Sequence, residues 1–368
     1  MPKYKSNYDA SKQAYFKPKG LHHGGQILSA VEKYKIARED WLDLSTGLNP
    51  NAWPVPSISA DLWQALPEED DGLQAAACHY YGCDACLPVA GSQAAIQTLP
   101  TLRSYSKVGV ISPTYAEHEY NWRQAGHDVI PLSLDEVEQQ INRLDVLLVI
   151  NPNNPTGNII STEQLLDWYQ TLSSRGGWLV VDEAFMDVTP EKSLVSSGIK
   201  PGLIILRSIG KFFGLAGIRC GFVISDNEML QRLSQKLGPW TLSGVTRFIA
   251  TQALLDKTWQ DDSRKSIVES SKRLNNMLSQ VGLTPRGGTA LFQWVEHEQA
   301  KDLYQAFAEK GVLIRLFAKQ GKMTKPSLRF GLPKNEKQWQ QLSETLTSLS
   351  GLIMKNDISD ENKLCTNN

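Results

Sequence analysis

Residues 145–185 read DVLLVINPNNPTGNIISTEQLLDWYQTLSSRGGWLVVDEAF, and their pattern decides the fold. Two apolar runs of strand length, VLLVI and WLVV, flank a stretch with helical spacing. That stretch opens on Ser161 with Gln164 three residues later, the signature of a capping box, and closes on Gly176. Strand, helix and strand at this pitch form a βαβ unit, whose strands lie parallel and are covered on both faces. Ligand sites in such sheets gather at the carboxyl ends of the strands.

Outward from this unit the pattern repeats between about residues 90 and 225. KVGVIS and HDVIPL precede it, and LIILRS and IRCGFVIS follow it. Past residue 225 long helical stretches take over, including DDSRKSIVESSKRLNNMLSQVG, and then an α+β tail. The tail carries LFQWV, a helix around Asp302 to Lys310, VLIRLF, SLRFGL and a last helix. The expected class is α/β, with a large domain built on a mainly parallel sheet and a smaller α+β domain. Expected boundaries are 1–50 for an N-terminal segment returning to the small domain and active site, 51–260 for the large domain and 261–355 for the small one. Residues 356–368 read as a frayed polar end.

With 368 residues, 41% of them hydrophobic, the chain can bury a full core. A net charge of −1 excludes an overall electrostatic bias toward nucleic acid or anionic membranes. No apolar run is long enough to span a bilayer, and the lysine-dotted N-terminus lacks a secretory pattern, so the expected compartment is the cytosol. Five cysteines include Cys78, Cys83 and Cys86 in CHYYGCDAC, a C-x4-C-x2-C spacing that matches part of a plant-type iron–sulfur signature. A fourth thiolate could come only from Cys220 or Cys365. Reduced, structural thiols are the favoured reading and no metal is expected.

At the strand ends the residue types converge on one chemistry. NPNNPTG sets Asn154 on a turn, VVDEAF ends a strand on Asp182, and RSIGKFFGLAGIRCG spaces Ser208, Lys211 and Arg219 through a glycine-rich loop. AGSQAAIQTL begins a helix at a Gly-Ser pair, where free backbone N–H groups favour a phosphate. Each motif alone is ordinary, and no nucleotide-binding glycine signature is present. Together they describe a pyridoxal phosphate site. The Lys211 amine can condense with the cofactor aldehyde, and Asp182 can keep the pyridine nitrogen protonated. Asn154 suits the ring oxygen and Tyr115, in SPTYAEHEY, suits the ring face. Ser92, the backbone at Gln93, Ser208 and Arg219 would cup the phosphate.

In this order the motifs resemble the fold-type-I aminotransferase superfamily over roughly residues 20–350. Within it, the chain is most similar to the histidinol-phosphate aminotransferases and their cobalamin-pathway relatives, the threonine-phosphate decarboxylases. The resemblance implies that Arg329, in SLRFGL, binds a substrate carboxylate, and Arg315, in VLIRLF, offers a second cation. Two arginines suit a substrate with both carboxylate and phosphate. LHHGGQILSA and LDLSTGLNP are similar to the opening of the decarboxylases, which makes His23 and Asn49 candidate substrate contacts beside Asn154. Two departures weigh against a plain histidinol-phosphate aminotransferase: Phe185 of DEAF stands where many members have tyrosine, and so does Leu66 of LPEEDD. GPWTLSG, Gly238 to Gly244, matches the decarboxylases' Pro-Trp stretch. The implied activity is decarboxylation of a small phosphorylated amino acid by a homodimer. Histidinol-phosphate or other transamination is the alternative, and a non-catalytic effector-binding module a distant third.

Overall fold

The computed structural model describes residues 23–318, 322, 323 and 325–354. The tail expected at 356–368, Cys365 and the first 22 residues lie outside them. A short strand β1 (Leu42–Asp43) precedes the seven strands of the central sheet. These are β2 (Leu87–Val89), β3 (Lys107–Ile111), β4 (Asp128–Leu132), β5 (Val146–Ile150), β6 (Trp178–Asp182), β7 (Leu203–Ser208) and β8 (Gly221–Ile224). They stand in the order β2-β8-β7-β6-β5-β3-β4. The five from β7 to β4 run parallel, and β8 is antiparallel to both of its neighbours.

Every residue of β5, β6 and β7 is buried, as a strand covered on both faces requires. The crossover helix Thr162–Ser173 buries Leu165, Trp168, Tyr169 and Leu172, one stripe at helical spacing. Ser161 Oγ accepts the Gln164 N–H at 3.2 Å, the expected cap, worth about 1 kcal/mol. The helix stops at Ser173 rather than Gly176, because the Gly177 N–H turns back to the Leu172 carbonyl at 2.9 Å.

Five further strands follow: β9 (Gly287–Thr289), β10 (Phe292–Glu296), β11 (Val312–Leu313), β12 (Arg315–Phe317) and β13 (Ser327–Gly331). Four of them form an antiparallel sheet in the order β12-β13-β10-β9. The run VLIRLF, expected as one strand, is divided at Ile314. Its first half, β11, pairs in parallel with β1, Leu42 opposite Val312. The helix Ile27–Tyr34 continues this contact, with Ala30, Trp41, Ala308 and Leu313 in one small apolar cluster. Among the described residues no helix is long and apolar enough to cross a membrane.

Candidate active site

β6 delivers Asp182 to the carboxyl edge of the sheet, 4% exposed. An ionised carboxylate there is costly unless it is paired. One oxygen accepts the Ala184 N–H at 3.0 Å, and the other lies 2.9 Å from Nε2 of His118. His118 is a site residue the sequence reading passed over. The signal was its spacing: Tyr115 and His118, three apart at a helix start, share one face. Their rings meet edge-on at 6.4 Å.

The Lys211 loop is anchored by Phe212 and Phe213, both fully buried. Gly214 is in the left-handed region at φ 68°, and a Cβ there would stand 2.7 Å from the Asn49 carbonyl. The Lys211 carbonyl accepts the Asn49 N–H at 3.0 Å. Its amine lies 5.4 Å from the centre of the Phe185 ring. Burial, reinforced by the Arg329 and Arg219 cations and opposed by Asp182, lowers that amine from 10.5 to about 8. Near neutral pH, much more of it is therefore uncharged and nucleophilic than in an exposed lysine.

Asn49 does not join the cavity, contrary to its expected substrate role. Its amide donates to the Phe212 carbonyl and Ser263 Oγ, both at 2.9 Å, and its Oδ1 accepts the Asn51 N–H at 3.0 Å. With every polar group of its side chain in use, it braces the lysine loop.

Ser92, Ser208 and Arg219 meet at one end of the site. Ser208 pairs with Gly221 across β7 and β8. A Cβ on Gly221 would lie 2.5 Å from the Ser92 nitrogen, and one on Gly91 would lie 2.6 Å from Arg219 Nη2. Glycine at both positions lets an arginine, a serine and a helix N-terminus approach the same spot. The Gln93 side chain turns elsewhere, donating to Glu117 at 2.8 Å and facing the Tyr115 hydroxyl at 3.4 Å, which leaves its backbone N–H at the helix end. Burial, then the Glu117 and Asp182 carboxylates, push the Tyr115 phenol up to about 12, so it stays protonated.

A cavity of about 720 Å³ opens above Lys211, bordered also by Tyr115, Asn154, His23, Arg315 and Arg329. Arg329 donates to Asn154 Oδ1 at 2.6 Å and to the Ser45 carbonyl at 2.8 Å. Arg315 faces it across the β12–β13 register. Burial, then the Arg315 charge, lower Arg329 to about 9, and burial lowers Arg315 as well. Two cations held this close, one of them buried, make the cavity a receptor for anions. The His23 ring that borders it is held by Glu117, 2.8 Å from Nε2, and Glu117 also takes Gln93 and Asn121.

The family model for class I and II aminotransferases matches residues 66–346. The chain belongs to the class I and II aminotransferase family. A threonine-phosphate decarboxylase from Pseudomonas aeruginosa is 49% identical to this family member over 89% of the chain and 97% of that protein. A second, from Sinorhizobium, is 38% identical over 80% of the chain and 89% of its own length. In fold, the chain is similar to the histidinol-phosphate aminotransferase of Sinorhizobium meliloti solved with pyridoxal phosphate. That likeness has a TM-score of 0.74 at 21% identity, and covers 92% of the chain and 99% of that structure.

The fold class, the enzymatic nature and the pyridoxal phosphate dependence expected of this aminotransferase-family chain therefore hold. Its residues fit the cofactor. A half-buried amine lowered to about 8 and a buried carboxylate stand at one place, and a glycine-lined cradle at another. Behind them, Arg207 donates to Glu183 at 2.6 Å and to Asp187 at 2.7 Å, all three buried, and so fixes the turn that follows Asp182.

Proposed function

We propose that the chain is a pyridoxal-phosphate lyase that decarboxylates L-threonine O-3-phosphate to (R)-1-amino-2-propanol phosphate, a precursor of the cobalamin side arm. The observation that carries this reading is the pair Arg315 and Arg329, side by side on β12 and β13 and bordering the cavity above Lys211. A substrate with carboxylate and phosphate meets both cations at once, and the 49% identity with a threonine-phosphate decarboxylase favours it over histidinol phosphate paired with the dianionic 2-oxoglutarate.

Pyridoxal phosphate, when bound, supplies the electron sink for the charge left at Cα after carbon dioxide departs. The chain does the rest. Lys211 and Asp182 would hold the cofactor's aldehyde and ring nitrogen, Asn154 the ring oxygen, and Tyr115 the ring face. Ser92, the Gln93 backbone, Ser208 and Arg219 would take its phosphate. His118 orients Asp182 from behind. Arg329 receives the substrate carboxylate, with Asn154 steering its guanidinium. Arg315 and His23 receive the substrate phosphate, and Glu117 fixes the His23 ring. As the Cα–carboxylate bond breaks, a proton from Lys211 Nζ takes its place on Cα.

Cofactor-loaded protein given threonine phosphate should release carbon dioxide, one per substrate consumed. Histidinol phosphate with 2-oxoglutarate should yield no glutamate. Turnover confined to the second pair would transfer the chain to the aminotransferases proper. Arg315→Met should raise KM for threonine phosphate roughly 10- to 100-fold, the loss of one charged contact, with a smaller change in kcat. Steady-state rates with threonine phosphate and with unphosphorylated threonine check this, since only the first should suffer.

The protein acts in the cytosol as a homodimer, without nucleic acid or membrane partners. The near-zero net charge supports the second half of that statement. The first half has support in exposed apolar side chains. The short helix Asp61–Gln64 packs on the helix Gly244–Leu255, and Trp63 within it is more than half exposed, as are Leu66 and Trp240 in the flanking segments. The lobes divide as 51–260 and 261–355, with the N-terminal segment 1–50 resting on the second through its described part, residues 23–50. The β1–β11 pairing supports that division.

A further inference from the structure

The segment CHYYGCDAC, residues 78–86, lies away from the cavity and has no part in the chemistry above. Cys78 is in the last turn of the helix Leu73–Tyr81, and Cys86 immediately precedes β2. Between them Gly82, at φ 72°, reverses the chain, and the N–H groups of Gly82 and Cys83 both return to the Cys78 carbonyl, at 2.9 and 3.1 Å. This reversal brings the three sulfurs together. All lie within 4.8 Å of one another, and Cys78 Sγ is 3.7 Å from Cys86 Sγ.

Those separations suit a shared metal ion. A tetrahedral ion with metal–sulfur bonds of about 2.3 Å spaces its thiolates about 3.8 Å apart. All three cysteines are free thiols, Cys86 buried and the other two half-exposed, so an ion can enter from solvent. A four-thiolate iron–sulfur cluster would need one ligand more, and among the described residues the group contains three. A three-thiolate site needs no fourth from the protein.

We propose that Cys78, Cys83 and Cys86 form a binding site for one soft divalent ion, zinc above all, with water in the fourth position. Each thiol gives up its proton on binding, so three protons pass to solvent for each ion taken up. The ion would staple the end of the helix Leu73–Tyr81 to β2, the edge strand that leads into Gly91 and Ser92. It is a structural clamp on the strand feeding the cofactor-phosphate cradle.

The test uses cofactor-loaded protein purified with reductant, treated with zinc or cobalt(II) and desalted. One ion per chain should remain by mass spectrometry. The cobalt form should show strong ligand-field bands at the red end of the visible range, beyond the cofactor's absorption, and zinc X-ray absorption should count three sulfurs. Cys83→Ser, at a half-exposed position, should weaken retention at least about 10-fold while leaving cofactor absorption in place. Three results would each overturn the proposal: no stoichiometric metal, equal retention by the triple serine variant, or a disulfide among these thiols under the reducing conditions. Should a serine variant fail to fold, the sulfur count on the unaltered chain decides alone.

Discussion

Lys211→Ala is expected to abolish turnover, by on the order of 10⁴-fold or more, and to remove the visible absorption of the lysine-bound cofactor. The amine is the nucleophile for the aldehyde and the nearest acid to Cα, so one truncation removes two functions. Some vitamin B6 should stay bound, because Ser92, Ser208 and Arg219 do not depend on the lysine side chain. The absorption spectrum, the carbon dioxide assay and B6 released on denaturation check the three parts separately. A variant with full colour and full rate would show that another group does this work. The pH dependence of cofactor uptake by cofactor-free protein follows from the lowered amine. Its neutral, reactive form grows as pH rises through about 8, whereas an ordinary lysine would need about 10.5.

Asp182→Asn should retain cofactor yet lower kcat on the order of 10³-fold, with KM little changed. The substitution keeps the size of the side chain and an oxygen for the Ala184 N–H, and removes the charge. That charge matters most when electrons flow into the cofactor ring, which places the loss in the transition state rather than in substrate binding. Steady-state kinetics on protein of verified cofactor content measures it. A rate within about threefold of the parent would mean that the carboxylate only shapes the pocket.

Much of this was legible in the residues, because local signals and global fold agree along the central sheet. VLLVI and WLVV announce strands covered on both faces, and the motifs at their ends carry Asn154 and Asp182. Ser208, Lys211 and Arg219 fall within twelve residues, so their chemistry could be read from spacing. Contacts between distant segments could not. The bond from the Asn49 amide to the Phe212 carbonyl joins residues 163 apart, and only the folded chain shows that it and the bonds with Ser263 and Asn51 occupy the whole side chain. Nothing in the run VLIRLF signals that half of it leaves for β1. His118 had a helical spacing that pointed to Tyr115's face and Glu117 had none, and their partners, Asp182 and His23, lie far off in sequence.

The bond from Arg329 to the carbonyl of Ser45 spans 284 positions, and it has a temporal meaning. While the polypeptide is still emerging from the ribosome, residue 211 is translated well before the guanidinium that roofs it. The substrate carboxylate can meet its arginine only after residue 329 has been made, whereas the residues assigned to the vitamin, 92–219, are translated earlier. Readiness for substrate is therefore completed after readiness for the vitamin, with the segment around residue 329.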